Sequence, residues 1–147
     1  QDHVYWPLDD QGTITMWMPL VDVSQEVGSM TFVDGSHLVG DAGAGHISDG
    51  SHQAVSDMIA RENLSLSSHG AMAAGDATFH NGWTLHSAGE NPTKAMREVI
   101  TVIYFAEGAR VAAPTERQVL DLRIWLKGLA PGDLAASEHL PVLYERP

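Results

Sequence analysis

Short β-prone runs alternate with turn dipeptides along this chain, and that alternation narrows the fold more than any other feature. It is densest in residues 75–105, GDATFHNGWTLHSAGENPTKAMREVITVIYF. Gly75-Asp76 and Asn81-Gly82 are turn signals, and between them Ala77-Thr78-Phe79-His80 is a short strand candidate. From Arg97 to Phe105 the residues are strongly β-prone. Side chains alternate along a strand, so Arg97 shares a face with Val99, Thr101, Ile103 and Phe105. Glu98, Ile100, Val102 and Tyr104 line the other face. Both faces are mostly apolar, so at least part of this strand is expected to be buried. A buried guanidinium is costly unless a carboxylate meets it. On residue types alone, Arg97 is expected at the strand's wet end, paired with a surface acid.

The rest of the chain follows the same rhythm. Residues 1–8 (QDHVYWPL) are extended in character, and Asp9 to Gly12 make a turn. Residues 13–23 (TITMWMPLVDV) predict a strand with Pro19 as an edge or a break. Ile14, Met16 and Met18 fall on one face of it, and Thr13, Thr15 and Trp17 on the other. Residues 29–33 predict a further strand, and the Gly-rich residues 38–50 a surface loop. Residues 51–63 are the best helix candidate, with Ser51 as N-cap and an apolar stripe of Ala54, Val55, Met58 and Ile59. Short strands are expected near residues 64–67 and 71–73, and a helical turn or two within 116–126. There is no internal repeat and no domain boundary, so residues 1–147 read as a single domain. Many short strands, frequent turns and one modest helix predict an all-β fold, a jelly roll or cupin-like double-stranded β-helix with one short helix in an insertion.

Charge limits the partners. The net charge is −11 with only eight Lys and Arg. This argues against nucleic acid and against anionic membrane surfaces, and leaves a small-molecule substrate as the expected partner. There is no cysteine, hence no disulfide and no thiolate chemistry. That fits a reducing compartment, and a cytoplasmic location is expected. No apolar run approaches transmembrane length, and the first residues are no signal peptide.

Asp2 and His86 are the candidate metal ligands. A facial triad for non-haem iron takes two histidines and one carboxylate and leaves positions open for cosubstrate and oxygen. Asp2 and His86 supply two of its three groups. His80, six residues before His86, reads as a strand or turn residue, and His37 as a turn residue. His46, His52, His69 and His139 fall in loops or at the helix start and are expected to be solvated. Trp6, Trp83 and Trp125 read as packing residues.

Four segments in this order, QDHVYWPLD, TMWMPLVDVS, GSMTFVDGSH and GDATFHNGWTLHSAGENPTKAMR, resemble the phytanoyl-CoA dioxygenase family, as does the tail WLKGLAPGDLAASEHLPVLYERP. The resemblance runs along nearly the whole chain and implies an iron(II)- and 2-oxoglutarate-dependent oxygenase with a double-stranded β-helix fold, without the family's N-terminal part. It implies that Asp2 is the carboxylate of the His-X-Asp motif and His86 the distal histidine. Arg97, eleven residues later, would grip the distal carboxylate of 2-oxoglutarate, and Trp17 would border that cosubstrate. No catalytic residue is implied beyond the metal site. An aspartate in that place favours hydroxylation over halogenation. The first histidine of His-X-Asp would stand immediately before Gln1, and His3 is no replacement for it. Ala88 stands where the family often has a serine. The competing expectations are therefore a catalytically silent, truncated cupin-like binding or scaffold domain, and a metal-binding cupin that uses Asp2, His86 and another histidine without 2-oxoglutarate. Strands lacking at the N-terminus would leave a sheet edge uncovered, so self-association is also expected, or a cover from the C-terminal segment.

Overall fold

The computed structural model describes residues 1–43 and 49–144. Among the described residues, six strands form two three-stranded antiparallel sheets. One has the order β4-β1-β6, with β1 (Ile14–Pro19), β4 (Thr78–Asn81) and β6 (Val99–Tyr104). The other has the order β3-β2-β5, with β2 (Met30–Val33), β3 (Leu66–Ser68) and β5 (His86–Ala88). Consecutive strands alternate between the sheets at the turn 81–84, as expected of a double-stranded β-helix. Helix α1 (Asp49–Arg61) lies in the connection between β2 and β3, and α2 (Val119–Trp125) follows a 3-10 turn at Glu116–Gln118.

The inner face of the first sheet is not its most apolar one. Along β1, Thr15, Trp17 and Pro19 are buried, while Ile14 is 44% exposed and Met16 and Met18 are half-buried. The partners of Thr15 and Trp17 are His80 and Thr78 on β4, and Ile103 and Thr101 on β6. The inner face of the second sheet carries Met30 and Phe32, with His86 opposite Phe32. Trp17 packs between the sheets against Met30, Met72 and Phe32. A second cluster seats Trp6 and Leu8 on Val111, Leu126 and Ala135 from the C-terminal segment. A third joins Val33 and Leu85 to Met58 of α1.

Several sequence expectations need correction. Residues 1–8 are not extended: Asp2 has right-handed helical angles (φ −79, ψ −31), and a 3-10 turn covers His3–Tyr5. The helix starts at Asp49, so Ser51 lies inside it and is not its N-cap. Residues 71–73 form only an isolated bridge, Val23 to Met72. His46 lies outside the described residues, as does the middle of the 38–50 loop. His52 belongs to α1 itself.

β6 is an edge strand. Val99, Ile100 and Thr101 are exposed, and none of its residues is fully buried. The expectation of burial fails because β1 pairs only one side of it, and β6 holds the outer place in the order β4-β1-β6. The C-terminal segment packs on Ile103 and Phe105, so it reaches only the far end of the strand. Pro19 is tolerated in the central strand because it is the last residue of β1. Among the described residues, no helix is long and apolar enough to cross a membrane.

Candidate metal centre

The turn after β4 creates the site. Asn81 Oδ1 accepts from Trp83 N at 2.8 Å, and Asn81 O accepts from Thr84 N at 2.8 Å. The chain thereby leaves one sheet at Asn81 and enters the other at His86, with His80 and His86 both turned inward. Their ring centroids are 4.4 Å apart. Gly82 is buried in this turn, and the position takes glycine because a Cβ there would overlap Thr13 Oγ1. Its carbonyl accepts from His3 N at 3.0 Å, which ties the segment carrying Asp2 to the turn. Gln1 adds a second tie: its side-chain amide donates to Gly40 O at 2.6 Å and Trp83 O at 2.7 Å.

Asp2, His80 and His86 each bring one ligand-type atom to within 4.8 Å of the others. Asp2 Oδ1 is 3.4 Å from His86 Nε2, and Asp2 Oδ2 is 3.2 Å from His80 Nε2. Thr15 Oγ1 donates to Oδ2 at 2.6 Å. Burial alone would push the Asp2 carboxyl up. Hydrogen bonds from His80 and His86, the charge of His86 and the Thr15 hydroxyl outweigh it and hold the group well below the usual carboxylate range. Asp2 is therefore an anion inside the fold.

The tautomer of His86 follows from its neighbours. Nδ1 lies 2.9 Å from Thr84 O, a carbonyl that can only accept, so Nδ1 carries the proton. In the neutral ring Nε2 is then a lone pair facing the ionised Oδ1. Two acceptors pointed at one another require a cation between them, either a proton on the ring or a metal ion. A nitrogen and a carboxylate oxygen suit iron(II), and a backbone carbonyl behind a ligating histidine is the usual orienting partner.

Asp2 and His86 also form part of the wall of a cavity of about 640 Å³, whose far side includes Val55 and Ile59 of α1. His3 plays no part in the cluster. Its Nδ1 pairs with Thr13 Oγ1 at 2.9 Å, and its ring lies tilted against that of Trp83 with 4.6 Å between centroids.

Arg97 stands just before β6, at the end of the sandwich where β2 begins and β5 ends. Its Nη1 donates to Val27 O (3.3 Å), Gly28 O (3.2 Å) and Gly89 O (3.1 Å). Among the described residues no carboxylate pairs with it, so the expected surface acid is replaced by three backbone carbonyls. Carbonyls orient a guanidinium without neutralising it.

Sequence reasoning assigned His80 to a strand, where it is, but missed its approach to Asp2. It also missed Thr15. The available signal was alternation: Thr13, Thr15 and Trp17 share a face, as do Thr78 and His80, and a hydroxyl-rich strand face must turn toward polar partners.

A family model described as phytanoyl-CoA dioxygenase (PhyH) matches residues 1–99, a span that holds Asp2, His80, His86 and Arg97. Among solved structures, the chain is similar to the non-heme alpha ketoglutarate dependent epimerase SnoN from nogalamycin biosynthesis. Identity is 28% and the TM-score 0.69, covering 95% of this chain and 51% of that one. It is similar to the non-heme alpha ketoglutarate dependent carbocyclase SnoK from nogalamycin biosynthesis, at 27% identity and TM-score 0.71, covering 95% and 52%. A structure of SnoN in complex with Fe3+, alpha ketoglutarate and nogalamycin RO matches at 28% identity and TM-score 0.71, covering 95% and 54%. The chain thus spans about half the length of these proteins. No curated protein matches it by sequence. The family match over two thirds of the chain, together with the paired sheets and the aspartate–histidine cluster between them, makes this chain a member of the phytanoyl-CoA dioxygenase family.

Proposed function

We propose that this chain carries the core of an iron(II)- and 2-oxoglutarate-dependent dioxygenase that hydroxylates a small organic substrate. The observation that carries the reading is the approach of Asp2 Oδ1 to His86 Nε2 at 3.4 Å inside the Asp2, His80 and His86 cluster, a contact in which a cation must lie between the two atoms. The donor chemistry fits iron(II), and Asp2 and His86 would hold it. Bound there with 2-oxoglutarate, iron supplies oxygen activation coupled to decarboxylation of the cosubstrate.

The protein's part is binding, orientation and exclusion of water. Arg97 is assigned to the distal carboxylate of 2-oxoglutarate. Gly89, which its Nη1 touches, is three residues beyond His86, or roughly 10 Å along an extended chain. A five-carbon diacid held at one end by the metal and at the other by a guanidinium fits that span. Trp17 is assigned to the wall beside it, since Trp17 is buried between the sheets and its partner Thr101 lies on the same face as Arg97. The cavity bounded by α1 is assigned to the organic substrate; its volume lies within the usual range for small-molecule sites.

A paired experiment tests this reading: iron(II) titration and succinate release, for the chain with and without one histidine placed before Gln1. The added ligand is expected to raise iron(II) affinity and to permit decarboxylation of 2-oxoglutarate without substrate. Failure of both forms to bind iron(II) would sink the proposal and favour the silent scaffold.

Self-association is part of the same proposal. The open edge of β6 and the exposed Ile14, Phe79 and Ile100 on the outer face of its sheet present unpaired backbone and apolar surface. Sedimentation over a concentration series is expected to show species larger than the monomer. A monomer at every concentration would contradict it.

A further inference from the structure

The two oxygens of Asp2 are treated differently by the fold. Among the described residues, Oδ1 faces His86 Nε2 alone, at 3.4 Å. Oδ2 meets Thr15 Oγ1 at 2.6 Å and His80 Nε2 at 3.2 Å. Thr15 and His80 are direct cross-strand partners on β1 and β4, so both groups come from one rung of a rigid ladder. His80 is 7% exposed, and Phe32 holds its ring from the second sheet at 5.2 Å between centroids.

The proton on His80 can be placed. With the proton on Nδ1, the Nε2 lone pair would oppose an ionised oxygen, acceptor against acceptor. With the proton on Nε2, the ring donates to Oδ2. Nδ1 is then a lone pair, and it is buried without a partner. Leaving that atom unpaired costs stability, and the bond to Asp2 is what the ring obtains in exchange.

We propose that His80 is a positioning residue: with Thr15 it clamps Oδ2 of Asp2, so that Oδ1 alone is presented to the cation shared with His86. This rests on the reading of Asp2 and His86 as metal ligands. The clamp makes the carboxylate one-toothed and so leaves a further coordination position open. It also holds a ligand whose own backbone stands at the N-cap of a short 3-10 turn rather than in a strand. His80 does not itself ligate, because its Nε2 lone pair is replaced by the proton given to Oδ2.

The test uses the chain labelled with 15N-histidine. Without metal, His80 is expected as the Nε2–H tautomer, with a hydrogen-bonded proton that Asp2→Asn displaces. On titration with Zn(II), the His86 Nε2 resonance is expected to shift on ligation while His80 keeps its proton. His80→Ala should lower Zn(II) affinity by about 10–100-fold, the range for outer-shell partners of metal ligands. His80→Gln should recover part of that loss, because its amide N–H can donate to Oδ2. Thr15→Val, nearly isosteric, should lower affinity in the same direction and serves if His80→Ala does not fold. An Nδ1–H tautomer, loss of the His80 proton on Zn(II) binding, or wild-type affinity in both variants would overturn the proposal. A wild-type chain that takes up no Zn(II) overturns the metal reading instead, and the tautomer in the metal-free chain then decides the clamp.

Discussion

His86→Ala is expected to abolish measurable iron(II) binding by calorimetry. The side chain provides the nitrogen that faces Asp2 Oδ1, and the other imidazole of the cluster among the described residues, His80, approaches Oδ2 instead. Metal sites depend on ligand number and geometry, and removing a direct ligand costs at least the roughly 10–100-fold that outer partners are worth. Folding should survive, because His86 is partly exposed and stands at the start of a three-residue strand. The charge environment adds a second readout. With His86 gone, the partly buried Asp2 carboxylate loses one of the neighbours that hold it low, so its carboxyl should titrate higher than in the parent chain. A carboxyl-edited NMR titration checks this apart from metal. Iron(II) affinity equal to the parent's in His86→Ala would show that the metal, if bound, sits elsewhere.

Arg97→Ala is expected to weaken 2-oxoglutarate binding by at least about tenfold, because the half-buried guanidinium would lose its pairing with the cosubstrate carboxylate. The guanidinium is held in place by the three carbonyls of Val27, Gly28 and Gly89, all on Nη1. Nε and Nη2 keep their donors for a planar carboxylate. Arg97→Lys should recover only part of the loss, since an ammonium cannot reproduce the fork. Iron(II) binding should be unchanged in both variants, because Arg97 belongs to the far end of the proposed cosubstrate. Equal 2-oxoglutarate affinity in Arg97→Ala and the parent would remove Arg97 from the cosubstrate site. A matching loss of iron affinity would instead indicate collapse of the sandwich end.

Sequence alone settled the class of the fold and much of the strand plan. Turn dipeptides bracket β4, and alternation of β-prone residues finds β1, β2 and β6, because these signals are local and follow from backbone preference. The ligand candidates Asp2 and His86 and the arginine Arg97 came from motif order, which a chain displays without folding. Three matters belonged to tertiary structure. Which face of β1 turns inward depends on what the opposite sheet offers; the methionine face is the more apolar in sequence, yet the threonine and tryptophan face is buried. The exposure of β6 depends on its place at the sheet edge, and strand order is invisible to local propensity. The meeting of His80 and Thr15 with Asp2 joins residues 78 and 13 positions away from it. Only the β1–β4 register and the turn at Asn81–Thr84 bring them to one carboxylate, because side-chain hydrogen bonds depend on positions in space that no local stretch of sequence specifies.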